Sequence, residues 1–166
     1  MQRIAIWGRG GVVRAHAVVD DEDFERLDRY RWCLSTGGYA RRVIVEGGRR
    51  RSLLMHRELL GIENRPHSVQ GDHINRDRLD NRKVNLRIVT PAQNMQNQIS
   101  RSGSTSRFRG VWRANTGRWR AEVKLRGVRY KLGSFEHEID AARAAEEFRG
   151  LHMPHSLPDP ELALAA

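Results

Sequence analysis

Between Ser68 and Asn94 the chain sets two short strand-forming runs, Ser68 to His73 and Leu86 to Val89, on either side of a polar loop, and closes them with Thr90-Pro91. Thr90 suits a helix N-cap and Pro91 the first helical position, so this stretch reads as strand, loop, strand, helix. Asp72 and His73 end the first strand, and Asn94 falls just inside the helix, where its side chain can turn back toward them. Asp72 and Asn94 would then converge as an oxygen-ligand pair suited to Mg²⁺ or Mn²⁺, which keep waters and accept phosphate oxygens as further ligands. The same stretch carries Arg76, Arg78, Arg82, Lys83 and Arg87, which are read as clamps on a phosphate backbone.

Charge points the same way. Lys and Arg number 30 against 20 Asp and Glu, a net charge of +10 in 166 residues, and the basic side is mostly arginine. Arginine forks match phosphate oxygens, so a polyanion is the expected partner. One cysteine, Cys33, can make neither an internal disulfide nor a paired zinc knuckle, and it reads as a small buried hydrophobe in a reducing compartment. No run has the length of a membrane span and the first ten residues lack a signal-peptide core, so a cytoplasmic location without membrane contact is expected.

Upstream, residues 3 to 19 read as strand, turn, strand, and the acidic run Asp20 to Asp23 as the cap and solvated face of a short helix. Trp32 to Leu34, Tyr39 to Glu46 and Arg49 to Met55 carry strand and hairpin signals, and His56 to Leu60 reads as a short helix stopped by Gly61. Residues 99 to 106 are small and polar, a linker. Phe108 to Ala114, Trp119 to Arg126 and Val128 to Phe135 read as three strands. Ile139, Ala142, Ala145, Phe148 and Leu151 mark one face of a helix, and the tail from residue 154 is expected to fray.

At Asp72-His73, Leu79-Asp80-Asn81-Arg82, Asn85 to Thr90 and Gln93-Asn94 the sequence resembles the HNH nucleases, in the branch of phages and mobile introns that has asparagine at the third motif position. Val18 to Phe24, Tyr30-Arg31-Trp32 and Met55-His56-Arg57 resemble the leader of those enzymes, so the likeness runs from residue 1 to about 98. It implies a ββα-metal (His-Me finger) fold in which His73 is the general base, Asp72 and Asn94 hold the metal ion, and Asn85 ties the loop and orients His73. His56 would contact a phosphate or support the site from behind, or be merely structural.

Between Arg107 and Lys131 nine basic residues accompany a single acid, Glu122. Strand alternation puts many of them on one face, opposite Val111, Ala121, Val123 and Leu132, and Trp112, Trp119 and Tyr130 are interleaved with them as contacts to DNA. Phe108 to Val111, Trp119 to Val123, Leu132 to Phe135 and Ala141 to Ala145 resemble the Apetala-two/ethylene-response-factor DNA-binding domain over residues 107 to 153. The likeness places Arg109, Glu122, Lys124 and Arg129 toward DNA, with Trp112, Arg113, Arg120 and Lys131 beside them. Trp112 stands where arginine is usual, and Thr116 and Lys131 where tryptophans are, so the plant target sequence does not transfer; Trp119 is better placed in the core than on bases.

The expectation is therefore an α+β chain. A small sheet (1–55) leads into a ββα-metal core (56–98), a linker (99–106) follows, and a three-stranded antiparallel sheet packs on one helix (107–153) before the tail (154–166). The expected activity is metal-dependent endonucleolytic hydrolysis of double-stranded DNA by a monomeric homing or mobile-element enzyme of phage or prophage origin. Two rivals stand against it. One is a catalytically inactive DNA-binding regulator or structural protein; the other is an RNA-directed protein, disfavoured because the narrow major groove of A-form RNA does not admit a reading sheet.

Overall fold

The computed structural model describes residues 1–100 and 103–163, in two compact units, Met1–Pro91 and Ala92–Ala166. The first unit opens with a five-stranded sheet of order β2-β1-β3-β4-β5, formed by β1 (Gln2–Trp7), β2 (Val13–Val19), β3 (Trp32–Leu34), β4 (Ala40–Glu46) and β5 (Arg49–Leu54). All neighbours are antiparallel except β1 and β3. Period-two alternation gathers Ile4, Ile6, Ala17, Val19, Trp32 and Ala40 on one face. Leu27 of α1 (Asp21–Asp28) and Met55 of α2 (Met55–Leu59) complete that core. Trp32 is buried without penalty because its indole N–H donates to the Leu27 carbonyl at 2.8 Å.

The acidic run at the start of α1 departs from a solvated face. Asp23 is buried and paired with Arg26 at 2.8 Å and Lys83 at 3.1 Å. Burial pushes its carboxyl up, but the hydrogen bonds from Arg26 and Lys83 outweigh this and hold it below the usual range. Asp20 precedes the helix as its N-cap, yet its side chain accepts from the backbone N–H of Lys83 at 2.7 Å rather than from the helix.

The remainder of the unit is the two-stranded antiparallel ladder of β6 (Gln70–His73) and β7 (Leu86–Val89), after which Pro91 starts α3 (Pro91–Asn94). Arg57 fixes the approach to β6 by donating to the carbonyls of Val69, Ile62 and Arg65.

In the second unit β8 (Val111–Arg113), β9 (Trp119–Leu125) and β10 (Val128–Phe135) form an antiparallel sheet of order β10-β9-β8, and α4 (Glu138–His152) crosses one face. Ala141, Ala142 and Ala145 let the helix approach Val111, Ala121, Val123 and Phe108 closely. Gly110 is required where it stands. Its φ is +79°, a Cβ there would lie 2.6 Å from the Glu122 carbonyl oxygen, and its own carbonyl accepts from Glu122 N–H at 2.9 Å.

Three expectations change here. Ser106, placed in the linker by its composition, is buried and donates to Glu138 at 2.6 Å. The tail packs instead of fraying up to residue 163: Leu162 lies against the core, and α5 (Pro160–Ala163) begins after Asp159. Asp159 is itself buried, accepting from the backbone of Arg109 and Glu161. Among the aromatic residues Tyr130 changes side: register pairs it with Val123 on the helix side, where it meets Phe148 with ring centroids 4.9 Å apart, while Trp119, opposite Phe135, takes the core side as expected and Trp112 shares the open face.

Candidate active site

Strand alternation makes the site possible. Asp72 and His73 are neighbours in β6 and therefore leave opposite faces of the ladder, and both are buried. Asp72 lies opposite Arg87 in β7, whose Nε and Nη2 both donate to Asp72 Oδ2, at 2.8 and 2.7 Å. Arg87, read from sequence as a DNA clamp, is thus the partner that neutralises this buried carboxylate.

His73 faces a wall of rings and amides. The Nε2 of His73 is 3.4 Å from Asn81 Oδ1, and Asn81, only 1% exposed, is oriented by donating its own amide to the Leu79 carbonyl. An acceptor at that position selects the Nε2–H tautomer and leaves the ring lone pair on Nδ1. Tyr39 and His56 complete the wall, with ring centroids 5.7 and 4.9 Å from that of His73. His56 fits because residue 71 is glycine: a Cβ there would come within 2.7 Å of His56 Cδ2.

Burial dominates the electrostatics. It pushes the His73 imidazole below its ordinary value, against the pull of the Asn81 hydrogen bond and of the Asp72, Asp77 and Asp80 carboxylates. His56 is pushed further, down to about 3, by burial and then by repulsion from His73 and Arg57. Its Nδ1 is buried with no hydrogen-bond partner among the described residues. Both rings are therefore neutral at physiological pH, the state a proton acceptor needs.

The loop between the strands is held by its own side chains. Asn85 accepts from Asn75 N–H at 2.9 Å through Oδ1 and donates to the Asp80 carbonyl at 2.7 Å through Nδ2, while its backbone carbonyl accepts from Ile74 N–H at 2.8 Å. It bridges the two ends of the loop directly after His73. Asp80 takes a fork from Arg82 at 2.7 and 2.6 Å and the Asn75 amide at 2.8 Å, and the Arg82 fork foremost holds its carboxyl below the usual range.

The first sheet fastens this loop from outside. Val18 of β2 donates to the Leu79 carbonyl and accepts from Asn81 N–H, both at 2.8 Å, and Lys83 is tied to Asp20, Glu22 and Asp23. Tyr39, Asn81 and this backbone bridge are additions to the site expected from the sequence. Asn81 lies within the Leu79 to Arg82 motif, but a bridge made by backbone groups leaves no side-chain signature.

The predicted DNA-contacting residues fall into groups. Arg82, Lys83 and Arg87 are committed to carboxylates, and Arg78 donates to the Gly37 carbonyl at 2.7 Å with its guanidinium 5.1 Å from the Tyr39 ring centroid. Arg76 sits in the loop at φ +68°, half-buried. In the second unit, register puts Trp112, Arg120, Glu122, Lys124, Arg129 and Lys131 together on the face away from α4. Arg113 registers instead with Trp119, and Arg109 spends its guanidinium on the carbonyls of Met95 and Gln96. Asn94 ends α3, half-buried, in the second unit, whereas Asp72 belongs to the first. No group of three or more His, Cys, Asp or Glu side chains suited to a metal ion occurs among the described residues. The donor chemistry of Asp72, a buried carboxylate, fits a hard divalent cation that takes few protein ligands and fills its shell with water and phosphate.

Residues 66–96 match the HNH endonuclease family. A protein of Acanthamoeba polyphaga mimivirus, named an uncharacterized HNH endonuclease, is 29% identical over 141 residues, covering 81% of this chain and 71% of that protein. An ethylene-responsive transcription factor of Medicago truncatula is 32% identical over 71 residues, 42% of this chain but only 26% of that protein. No solved structure matches the chain.

Proposed function

We propose that this chain is a DNA nuclease of the HNH type, an endonuclease that hydrolyses a phosphodiester of double-stranded DNA with a divalent metal ion. One observation carries the reading. Within the stretch that matches the HNH endonuclease family, a buried, neutral His73 stands next to a buried Asp72, beneath a loop that Asn85 ties shut.

His73 takes a proton from the attacking water at Nδ1, while Asn81 holds the opposite nitrogen. Asn85 keeps the turn after His73 closed, so the ring stays aimed. Mg²⁺ or Mn²⁺, held by Asp72 and Asn94, would supply positive charge to the phosphorane and the leaving 3′ oxygen. Asn94 is assigned to that role by the motif resemblance alone. The products would carry 5′-phosphate and 3′-hydroxyl ends. The open face of the second unit, with Trp112, Arg120, Lys124, Arg129 and Lys131 around Glu122, anchors the duplex; this is supported by its charge and by the likeness to the plant transcription factor. A homing or mobile-element role in a phage or prophage, and action as a monomer in the bacterial cytoplasm, complete the proposal.

The test is a metal titration of cleavage. Asp72→Ala should raise the half-saturating metal concentration or abolish activity, Asn94→Ala should do so less, and Arg87→Met, which removes the guanidinium that neutralises Asp72, should shift the curve to lower metal. Superimposable curves for all three variants would place the metal elsewhere.

A further inference from the structure

Asn94 belongs to a helical stretch too short to hold its own shape. α3 ends at Asn94, and a single 3-10 turn, Met95–Asn97, continues it, with Asn94 itself at helical φ and ψ of −60° and −38°. Isolated helices shorter than roughly 12 residues are marginal in water, because the nucleus is costly for the few hydrogen bonds that follow. The last carbonyls of any helix also lack a partner within it. Asn94 keeps its place only if groups outside the stretch fix its end.

Arg109 supplies that fixing from within the second unit. Its guanidinium donates through Nη2 to the Met95 carbonyl at 2.8 Å and through Nη1 to the Gln96 carbonyl, so one planar fork closes two carbonyls at the end of the stretch. A cation there also complements the negative end of the helix. Gln96 is tied a second time, its Oε1 accepting from the His155 N–H at 3.3 Å, and Asn97 is buried.

The fork is aimed by a rigid backbone. The Arg109 N–H donates to the buried Asp159 at 3.2 Å, and its carbonyl accepts from Arg149 Nη1 at 2.8 Å. Arg149 is only 3% exposed and is paired with Glu146 at 2.6 Å, and Gly110 follows Arg109 in its close approach to the Glu122 carbonyl. Three parts of the unit therefore converge on this one residue: the start of the sheet, α4 and the docked tail. Such anchoring suits a residue that must hold something else in place. Arg109 differs in this from Arg120, Lys124, Arg129 and Lys131, which lie together on the open face.

We propose that Arg109 is a positioning residue for Asn94, its fork capping the helical stretch and so holding the Asn94 amide in the geometry that a ligand of the divalent ion needs. This role rests on the reading of Asn94 as such a ligand. It gives Arg109 a task distinct from the DNA contact that the likeness to the plant domain implies.

The test is Mn²⁺ binding to the full chain without DNA, read from the EPR signal of the free ion. Arg109→Ala should weaken binding by roughly tenfold, the low end of what losing a ligand-orienting partner costs, and Asn94→Ala should weaken it at least as much. The double variant should bind no more weakly than Asn94→Ala alone, since the fork acts through that amide. The backbone ties of residue 109 survive these substitutions. A salt titration of duplex binding, with chelator present, is the second readout: Arg109→Ala should keep the wild-type slope of log affinity against log salt. A slope shallower by about 0.9 would put the guanidinium on a phosphate and overturn the assignment, and so would an effect on Mn²⁺ that adds in full to that of Asn94→Ala. If Asn94→Ala weakens Mn²⁺ binding and Arg109→Ala does not, this role alone is contradicted. If Asn94→Ala leaves Mn²⁺ binding untouched, the ligand reading falls and this role with it.

Discussion

Asn85→Ala is the sharpest perturbation of the β6–β7 ladder, because Asn85 joins the two ends of the loop that follows His73. It is 6% exposed and makes two side-chain hydrogen bonds, 2.9 Å from Asn75 N–H and 2.7 Å to the Asp80 carbonyl. Alanine leaves both partners wanting. Each unsatisfied group costs about 1 to 3 kcal/mol, so the variant should lose roughly 2 to 5 kcal/mol of local stability, with water offsetting part of it at the half-buried Asn75 end. Global unfolding would mix two units, so the assay is native-state amide hydrogen exchange by NMR, read at Asn75 and Ile74. Protection there should fall by a factor of roughly 30 to several thousand, while amides of β9 and β10 are unaffected. Asn85→Asp is the control. It keeps the acceptor toward Asn75 but turns an oxygen on the Asp80 carbonyl, so at neutral pH it should cost at least as much as alanine and recover when the carboxyl is protonated and can donate. Unchanged protection at Asn75 in both variants would refute the assignment of Asn85 as the tie of this loop.

Two further outcomes follow from the packing. His56 is held at about 3 in the fold against 6.5 when unfolded, so the unfolded chain binds the extra proton and stability falls as pH drops below 6.5 toward 3. The full effect approaches about 5 kcal/mol, of which roughly 2 to 3 is lost by about pH 4.5. His56→Phe keeps a ring and removes that titration, so its stability should fall less between about pH 7 and pH 4.5; parallel pH profiles for wild type and variant would contradict it. Gly110→Ala should destabilise the second unit by about 1 to 3 kcal/mol through its positive φ and the clash with the Glu122 carbonyl; a melting temperature within a degree or so of wild type would show that the turn relaxes freely.

The elements whose side chains carry a period are legible in the sequence. The strand readings in residues 3 to 19 and 119 to 135 correspond to β1, β2, β9 and β10, and of the helix face read at 139, 142, 145, 148 and 151 all but Leu151, which is exposed, pack on the core from α4. What escapes is carried by backbone or by distance along the chain. The bridge from Val18 to Leu79 and Asn81 is made of peptide groups, and the Lys83 ties to Asp20, Glu22 and Asp23 span about sixty residues, so neither leaves a local pattern. The face taken by Tyr130 follows from alternation itself, since it lies two residues before Leu132 on the core side; the irregularity between Lys131 and Gly133 changes the phase only for the residues after it, which brings Phe135 opposite Trp119. The docked tail has a signal, since Asp159-Pro160-Glu161 is an N-cap followed by proline at the first helical position. Two nearby prolines point to a loose end instead. In the site, pattern brings Asp72, His73 and Asn85 together, whereas Asn81 and Tyr39 are visible only once the ring of His73 has a position.

In the proposed reaction His73 removes a proton from water as a DNA phosphodiester is hydrolysed. Supercoiled plasmid incubated with the full chain and Mg²⁺ should yield open-circular or linear DNA, and chelator should stop it. His73→Ala should slow the conversion by a factor on the order of 10² to 10⁴ while duplex binding stays close to wild type. Near-normal conversion by the variant would rule out His73 as the base, and conversion by wild type that chelator leaves untouched would rule out a metal-dependent reaction.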